Sequence, residues 1–210
     1  MDGNNRWAYK NNTDKYFSYY KGIKKLLELS NYIFKTQKTK YISAFALSSS
    51  NLNRSKSFNK LIIKLTNDFI DYVNNKEINF SIKFIGDLSF LPKETVDSLN
   101  SIELQKSDYS RTLIIFINYS GRKDIIQASL KIKHAKLNDS EFHNSLLTQD
   151  LVDPDLLIRS GGYQRISDFM LFQLSFTELF FVKCLWPDMT KKHINNIISK
   201  YFKTERKFGI

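Results

Sequence analysis

Short apolar runs alternate along this chain with longer stretches whose apolar residues recur at helical spacing, and few architectures satisfy that order. Residues 41–47 (YISAFAL), 78–85 and 111–117 (RTLIIFI) are predicted strands. The last is apolar almost throughout, as a strand buried on both faces must be. Residues 156–158 and 179–182 add two shorter strands. Between them, residues 16–34 set Tyr20, Ile23 and Leu27 on one helical face, opposite Lys24, Lys25 and Glu28. Residues 57–73 do the same with Leu61, Leu65, Phe69 and Tyr72, and residues 93–105 begin a helix after Pro92. Residues 124–134 and 190–202 are further predicted helices, and 141–147 a short one.

The expected fold class is therefore α/β, with a mostly parallel central sheet flanked by helices. With only seven glycines, three prolines, no repeat and no linker, residues 1–210 read as one domain. Sheets of this kind take ligands beyond the carboxyl ends of their strands. Four polar clusters follow predicted strands: Ser48-Ser49-Ser50-Asn51, Gly86-Asp87, Asn118-Tyr119-Ser120-Gly121 and Arg159-Ser160-Gly161-Gly162. They are expected to converge on one edge.

Several function classes are disfavoured by composition. No stretch reaches the roughly 18 unbroken apolar residues of a membrane-spanning helix, and residues 1–6 carry no apolar leader, so a cytoplasmic protein is expected. The single cysteine, Cys184, excludes an internal disulfide, and its neighbours Phe180, Phe181, Leu185 and Trp186 suggest a buried, inert thiol. His134, His143 and His193 have no metal-ligand spacing. The formal charge of +11 suits a nucleic-acid binder, a membrane-surface protein or an enzyme of anionic substrates. The lysines are dispersed and no aromatic-basic motif for RNA appears, so much of this charge reads as solvated surface.

Three clusters carry chemistry. In Asp2-Gly3-Asn4-Asn5-Arg6, a carboxylate offers a hard oxygen for Mg²⁺, a glycine lets backbone approach closely, and a guanidinium grips phosphate; the alternative is a polar, frayed end. In Arg159-Ser160-Gly161-Gly162-Tyr163-Gln164-Arg165-Ile166-Ser167, two arginines and two hydroxyls flank a Gly-Gly turn, as a diphosphate site would need; the alternative is an ordinary turn with surface arginines. Ser48-Ser49-Ser50-Asn51-Leu52-Asn53-Arg54 could orient a phosphate or a proton transfer, but such residues are common in loops. No Walker loop, dinucleotide fingerprint or nucleophile elbow is present.

Taken in order, these segments resemble the cis-prenyltransferase family, whose best-known members make undecaprenyl diphosphate. The resemblance is carried by Asp2-Gly3-Asn4 with Arg6-Trp7-Ala8, Lys21 and Gly22, the 45–54 segment, Ile85-Gly86-Asp87, and Asn118 with Gly121-Arg122-Asp124-Ile125. It continues through Asp153-Pro154-Asp155-Leu156-Leu157-Ile158-Arg159, Gly161-Gly162 with Arg165-Ile166-Ser167, Glu178-Leu179, Leu185-Trp186-Pro187-Asp188 and the tail Glu205-Arg206-Lys207-Phe208-Gly209. It implies a homodimeric α/β enzyme that uses Mg²⁺ to condense isopentenyl diphosphate onto an allylic diphosphate such as farnesyl diphosphate, in cis geometry. A peripheral membrane contact for product release belongs to the same expectation, and nucleic acid does not. The product would be undecaprenyl diphosphate or a similar polyprenyl diphosphate.

By the same resemblance, Asp2 binds Mg²⁺ and helps the allylic diphosphate depart, with Glu178 a second metal ligand near the dimer boundary. Gly3, Asn4, Asn5, Arg6 and Arg54 would hold the allylic diphosphate; Arg159, Arg165 and Ser167 would hold isopentenyl diphosphate. Trp7, Lys15, Tyr19, Ser48, Ser49, Ser50, Leu52 and Ile166 complete the expected substrate-binding set. The Asn51 position is the one assigned to proton transfer, although a neutral amide is a poor base and a substrate phosphate oxygen or a water is better placed. Departures from the family pattern fall at Asn5, Lys15, Tyr19, Leu47, Ser50, Leu52 and Tyr163-Gln164. The family also places a strand just before Met-Asp-Gly-Asn, which residues 1–210 lack, and that is expected to loosen Asp2. The apolar faces of 16–34 and 57–73, with 93–105, are candidate walls of a product tunnel or plain core. A non-catalytic or weakly active prenyltransferase subunit is the rival reading; such subunits typically lose the Asp-Gly-Asn motif that is intact here.

Overall fold

The most apolar predicted strand becomes the middle of a sheet. In the computed structural model, described for residues 1–52, 54–105, 107, 109–132 and 138–205, β3 (Thr112–Tyr119) lies between β1 (Tyr41–Ser48) and β2 (Ser81–Ile85), with both pairings parallel. Leu113, Ile114 and Phe116 of β3 are fully buried, which is what a strand paired on both edges and covered on both faces requires.

Parallel neighbours need long crossovers, and helices supply them. α1 (Asn4–Lys10) and α2 (Lys15–Thr36) precede β1. The short α3 (Ser49–Leu52) and α4 (Lys56–Asn74) join β1 to β2, α5 (Lys93–Gln105) joins β2 to β3, and α6 (Gly121–Lys131) follows β3. Asp14, Ser55 and Ser120 each accept a hydrogen bond from the backbone N–H three residues on, which fixes where α2, α4 and α6 start. The main core packs Leu26, Leu27 and Phe34 of α2, Phe69, Ile70 and Val73 of α4, and Leu99 and Ile102 of α5 against Leu113, Ile115 and Ile117. At Leu27 and Phe69, then, the predicted apolar faces are core. Tyr72 packs against this core as expected, and together with Tyr20 it also lines a polar surface cleft of about 310 Å³ with Asp68, Asp71, Asn75 and Lys76.

Beyond the short α7 (Asp139–His143), β4 (Leu156–Arg159) and β5 (Glu178–Phe181) form a second parallel pair, and α8 (Lys191–Tyr201) closes the described chain. The α/β class and parallel pairing match the sequence expectation, with the strands divided into a set of three and a set of two. The two sets share a core: Phe45 of β1 and Leu157 of β4 both pack against the cluster of Phe116, Tyr119, Phe169 and Met170. The connection from β4 to β5 contains no helix or strand; it is a run of turns carrying the Arg159–Ser167 cluster.

Boundaries differ from expectation where tertiary contacts decide. Ile78 and Phe80 are buried but lie before β2, which starts at Ser81. Helix α6 ends at Lys131, and the rest of the expected helix, including His134, falls outside the described residues apart from Ile132, as do Asn53 and residues 206–210 of the tail. α7 is shorter than the predicted 141–147 segment and begins earlier, at a capping box formed by Asn138 and Glu141. His193 likewise closes a capping box with Thr190 at the start of α8.

The strand ends converge as expected. Ser49 Oγ donates to the Asn118 carbonyl at 3.0 Å, and Asn118 Nδ2 donates to the Asp87 carbonyl at 2.8 Å. Gly121 N–H donates to the Asp168 carbonyl at 2.8 Å, bringing in the loop after β4. Gly86 makes this edge sterically feasible: its φ is +129°, and a Cβ there would lie 1.9 Å from the Ile117 carbonyl oxygen. Gly86→Ala is therefore expected to cost roughly 2–4 kcal/mol and to lower Tm by about 5–15 °C in scanning calorimetry. A variant melting with the wild type would contradict this packing.

Candidate active site

Asp2 is fixed at its backbone before its side chain does anything. Its N–H donates to Ser160 Oγ at 2.9 Å, the same hydroxyl donates back to the Asp2 carbonyl at 3.0 Å, and Trp186 N–H donates to that carbonyl at 2.9 Å. Ser160 is buried. Neither a frayed end nor a loosened Asp2, both entertained from sequence, describes this segment. Gly3 then turns the chain in the left-handed region (φ +105°), and α1 starts at Asn4. The buried side of α1 carries Trp7 and Ala8; the Trp7 indole N–H donates to Asp188 Oδ1 at 2.7 Å, and Lys21 Nζ sits 4.2 Å from the ring centroid. Trp7 thus anchors α1 to the residues after Trp186. Its neighbour Arg6 is exposed and points into the site.

The Asp2 carboxylate lies between two guanidiniums. Arg159 Nη2 is 3.0 Å from Oδ2 and Arg6 Nη2 is 3.3 Å from Oδ1. Burial alone would raise the carboxyl pKa, but the hydrogen bond and charge of Arg159, with the charge of Arg6 and the Gly3 N–H, outweigh it and hold Asp2 below the usual carboxylate range. Arg6 Nη1 also donates to the Gly161 carbonyl at 2.7 Å. Gly161 has φ +88°, and a Cβ there would fall 2.6 Å from Arg6 Nη2 and 3.1 Å from Asp2 Cγ. The Gly-Gly turn is pinned to β5 and the residues beyond it by Gly161 N–H to the Cys184 carbonyl (2.7 Å) and Gly162 N–H to the Val182 carbonyl (2.9 Å).

Arg159 is held from its other side. Its Nη1 donates to Ser167 Oγ at 2.7 Å and to the Arg165 carbonyl, while its buried Nε has no partner among the described residues. Ser167, Asp168 and Met170 all have positive φ, a strained run that persists because its neighbours over-determine it. Asp168 accepts from Ser120 Oγ at 2.5 Å and from Arg122 N–H at 2.9 Å, and Phe169 and Met170 are buried in the second core. Arg165 joins Arg6 and Arg159 around one ring: the Tyr163 centroid is 4.2 Å from Arg165 Cζ, 4.8 Å from Arg6 and 5.9 Å from Arg159. Among the described residues, Asp2 is the one carboxylate within ion-pair distance of any of the three, pairing with Arg6 and Arg159. Three cations facing one anion leave a net positive bowl, suited to a diphosphate and to negative charge developing on a leaving group.

The third cluster reaches this bowl through Tyr19. Burial raises the pKa of its hydroxyl, opposed by the charge of Arg54 and assisted by that of Asp2. Arg54 Cζ lies 5.5 Å from the Phe58 centroid. Ser48 and Ser50 share a hydroxyl contact at 3.0 Å, and the Asn51 carbonyl accepts from Arg54 N–H at 3.2 Å. Leu52 is partly buried and packs against the main core. The Asn4 carbonyl accepts from Ser18 Oγ of α2 at 2.7 Å, while its Oδ1 is buried beside Gly22 without a partner. Lys15 is exposed in the first turn of α2, and Ile166 is half-buried with its carbonyl accepting from Phe169 N–H at 3.3 Å.

One expectation needs correction, at Cys184, and Glu178 stands apart from the arginines within a single chain. Glu178 pairs with Leu156 at the amino end of β4, whereas Arg159 pairs with Phe181 at the other end, three residues along. At about 3.3 Å per residue that separates Glu178 from the arginine end by roughly 10 Å. The fold therefore does not gather Glu178 with Asp2, and no cluster of three acidic, His or Cys side chains suited to a metal occurs among the described residues. Cys184 is half-buried rather than buried; burial does raise its pKa, as an inert thiol requires. Tyr163 is the residue that sequence reasoning passed over, although an aromatic between two arginines after a glycine turn was there to be read.

Known proteins align along the whole site. Residues 1–209 match the family model described as putative undecaprenyl diphosphate synthase. The isoprenyl transferase of Helicobacter pylori is 34% identical over 220 residues, spanning 100% of this chain and 94% of that protein. A ditrans,polycis-undecaprenyl-diphosphate synthase of Micrococcus luteus, named as specific for (2E,6E)-farnesyl diphosphate, is 31% identical over 221 residues, 100% of this chain and 88% of that one. Among solved structures, lavandulyl diphosphate synthase from Lavandula x intermedia in complex with dimethylallyl diphosphate superposes with a TM-score of 0.89 at 27% identity, covering 100% of this chain and 95% of that one. A probable undecaprenyl diphosphate synthase from Campylobacter jejuni gives 0.80 at 29% identity, covering 90% and 92%. With its site residues spread along the matched segment, this chain belongs to the undecaprenyl diphosphate synthase family and is a cis-prenyltransferase.

Proposed function

We propose that the enzyme adds isopentenyl diphosphate units to farnesyl diphosphate in a Mg²⁺-dependent reaction, building undecaprenyl diphosphate or a polyprenyl diphosphate of similar type. The observation that carries this reading is the single carboxylate set among three guanidiniums. Arg6, with the backbone of Gly3, Asn4 and Asn5 and with Arg54 linked through Tyr19, holds the allylic diphosphate. Arg159, Arg165 and Ser167 hold the diphosphate of isopentenyl diphosphate. The allylic C–O bond breaks, the alkene of isopentenyl diphosphate attacks the cation, and a proton leaves to a diphosphate oxygen or a water. The guanidiniums stabilise the departing anion where its charge develops. Asn51, whose carbonyl is engaged by Arg54 N–H, orients that region rather than acting as base.

The donor set fits magnesium. Mg²⁺ prefers hard oxygens, keeps several waters, and is commonly held by one or two carboxylates together with substrate phosphates. Asp2, about a third exposed at 32%, offers such an oxygen beside the cations that would bind the phosphates. Bound there, the ion would neutralise charge on the leaving diphosphate. Glu178 supplies a second carboxylate only across a homodimer boundary. The exposed apolar residues Phe176 and Leu179 flank it and suit such a contact. A cytoplasmic dimer with peripheral membrane contact at product release completes the reading; no described helix is long and apolar enough to cross a membrane.

Incubating the protein with labelled isopentenyl diphosphate, farnesyl diphosphate and Mg²⁺ is expected to give butanol-extractable product, abolished by EDTA. Asp2→Asn is expected to lower turnover by roughly 10²–10³-fold with a Tm loss of a few degrees, because Arg159 loses its counter-ion. No product with any allylic primer, or normal turnover in the variant, would refute the reading. The pH dependence follows from the depressed Asp2 pKa. Its stabilising contribution is complete above the unfolded value of about 3.9 and is lost as pH falls through the lower folded value. The part of the Tm gap between wild type and Asp2→Asn that comes from this carboxylate should therefore shrink as pH falls below about 4. Light scattering should report twice the 24.7 kDa chain mass, and a monomer would remove the role given to Glu178.

A further inference from the structure

Arg6, Arg159 and Arg165 repel one another, and the backbone contacts that hold Arg6 and Arg159 leave Arg165 unaccounted for. Arg6 comes from α1, Arg159 ends β4, and Arg165 lies in the loop after it. What they have in common is the Tyr163 ring, with all three Cζ atoms between 4.2 and 5.9 Å from its centroid. That range is the one in which a guanidinium is attracted by the ring quadrupole. Tyr163 is 43% exposed, so the ring sits at the mouth of the bowl and is not a core residue.

We infer that Tyr163 is a positioning residue that gathers the three arginines and couples the two diphosphate subsites, an inference resting on the two-subsite reading above. A ring performs this task differently from a carboxylate. The aromatic face restrains the cations and leaves their N–H donors and full charge available. Because Arg6 serves one subsite and Arg159 and Arg165 the other, loss of the ring weakens both together. The hydroxyl has no part in the mechanism, so a phenylalanine ring should suffice.

The test is calorimetric titration of the full-length protein with inorganic pyrophosphate, alongside KM and kcat for both substrates. Tyr163→Leu is expected to bind pyrophosphate about tenfold more weakly, and to raise both KM values while kcat stays within about twofold. Tyr163→Phe should restore binding to within about twofold of wild type. Should the leucine variant unfold, Tyr163→Gln is the second ring-free form, with the same expectation. Wild-type affinity in a folded ring-free variant, an effect on one substrate alone, or equal losses in the Phe and Leu variants would overturn the inference while leaving the two-subsite reading intact. Failure of the wild-type protein to bind pyrophosphate would overturn both.

Discussion

The contact between the Asp2 carboxylate and Arg159 spans 157 residues of sequence, and the rest of the site is arranged to keep it. A carboxylate at this position serves only if its backbone cannot drift, so Ser160 and Trp186 hold both polar groups of the Asp2 peptide. A guanidinium reaches it only if the intervening chain has no Cβ in the way, so Gly161 stands where an alanine would strike Arg6 and crowd Asp2. Arg159 in turn keeps its direction because Ser167 grips its far end, and Ser167 is held in an unfavourable backbone conformation by Asp168, Phe169 and Met170. Strain in the loop, close approach at the glycine and burial at Ser160 are thus parts of one constraint.

Scaffold and chemistry divide cleanly around that contact. The indoles of Trp7 and Trp186 bond to Asp188 and the Gly22 carbonyl and fix α1 and α2 to the turn at 186–188. Arg6 then projects from a short helix that its own sequence would not sustain, and Asp2 from the segment just before it. The outcome is an excess of fixed positive charge at the carboxyl edge of the strands, where parallel sheets bind ligands. Such charge, held before the ligand arrives, is worth more than charge that must be recruited, because no reorganisation accompanies the bond-breaking step.

Much of this was legible in the sequence, for identifiable reasons. Periodicity located the five strands and the long helices α2, α4, α5 and α8, because their burial follows a simple repeat. The rule for strand ends assigned four polar clusters to one edge, and the hydrogen bonds among Ser49, Asn118 and Asp87 join three of them. Helix α1 was not legible: Asn4, Asn5 and Arg6 carry no helical pattern, and Trp7 and Ala8 fold it by packing against partners far away in sequence. Nor could periodicity say that Tyr20 and Tyr72 would face a polar cleft. Glu178 opens β5 one residue before the predicted strand and lies at the end away from Arg159, since register is a property of the pairing and not of either strand alone. The role of Tyr163 emerged only when three arginines from two regions met at one ring.

The most direct measurement is a crystal structure of the protein soaked with Mg²⁺ and inorganic pyrophosphate. If the charged bowl is the active centre, the anion will lie in contact with Arg159 and Arg165, with the metal on the Asp2 carboxylate. Pyrophosphate bound elsewhere, or an Asp2 carboxylate turned away from metal and anion alike, would contradict it.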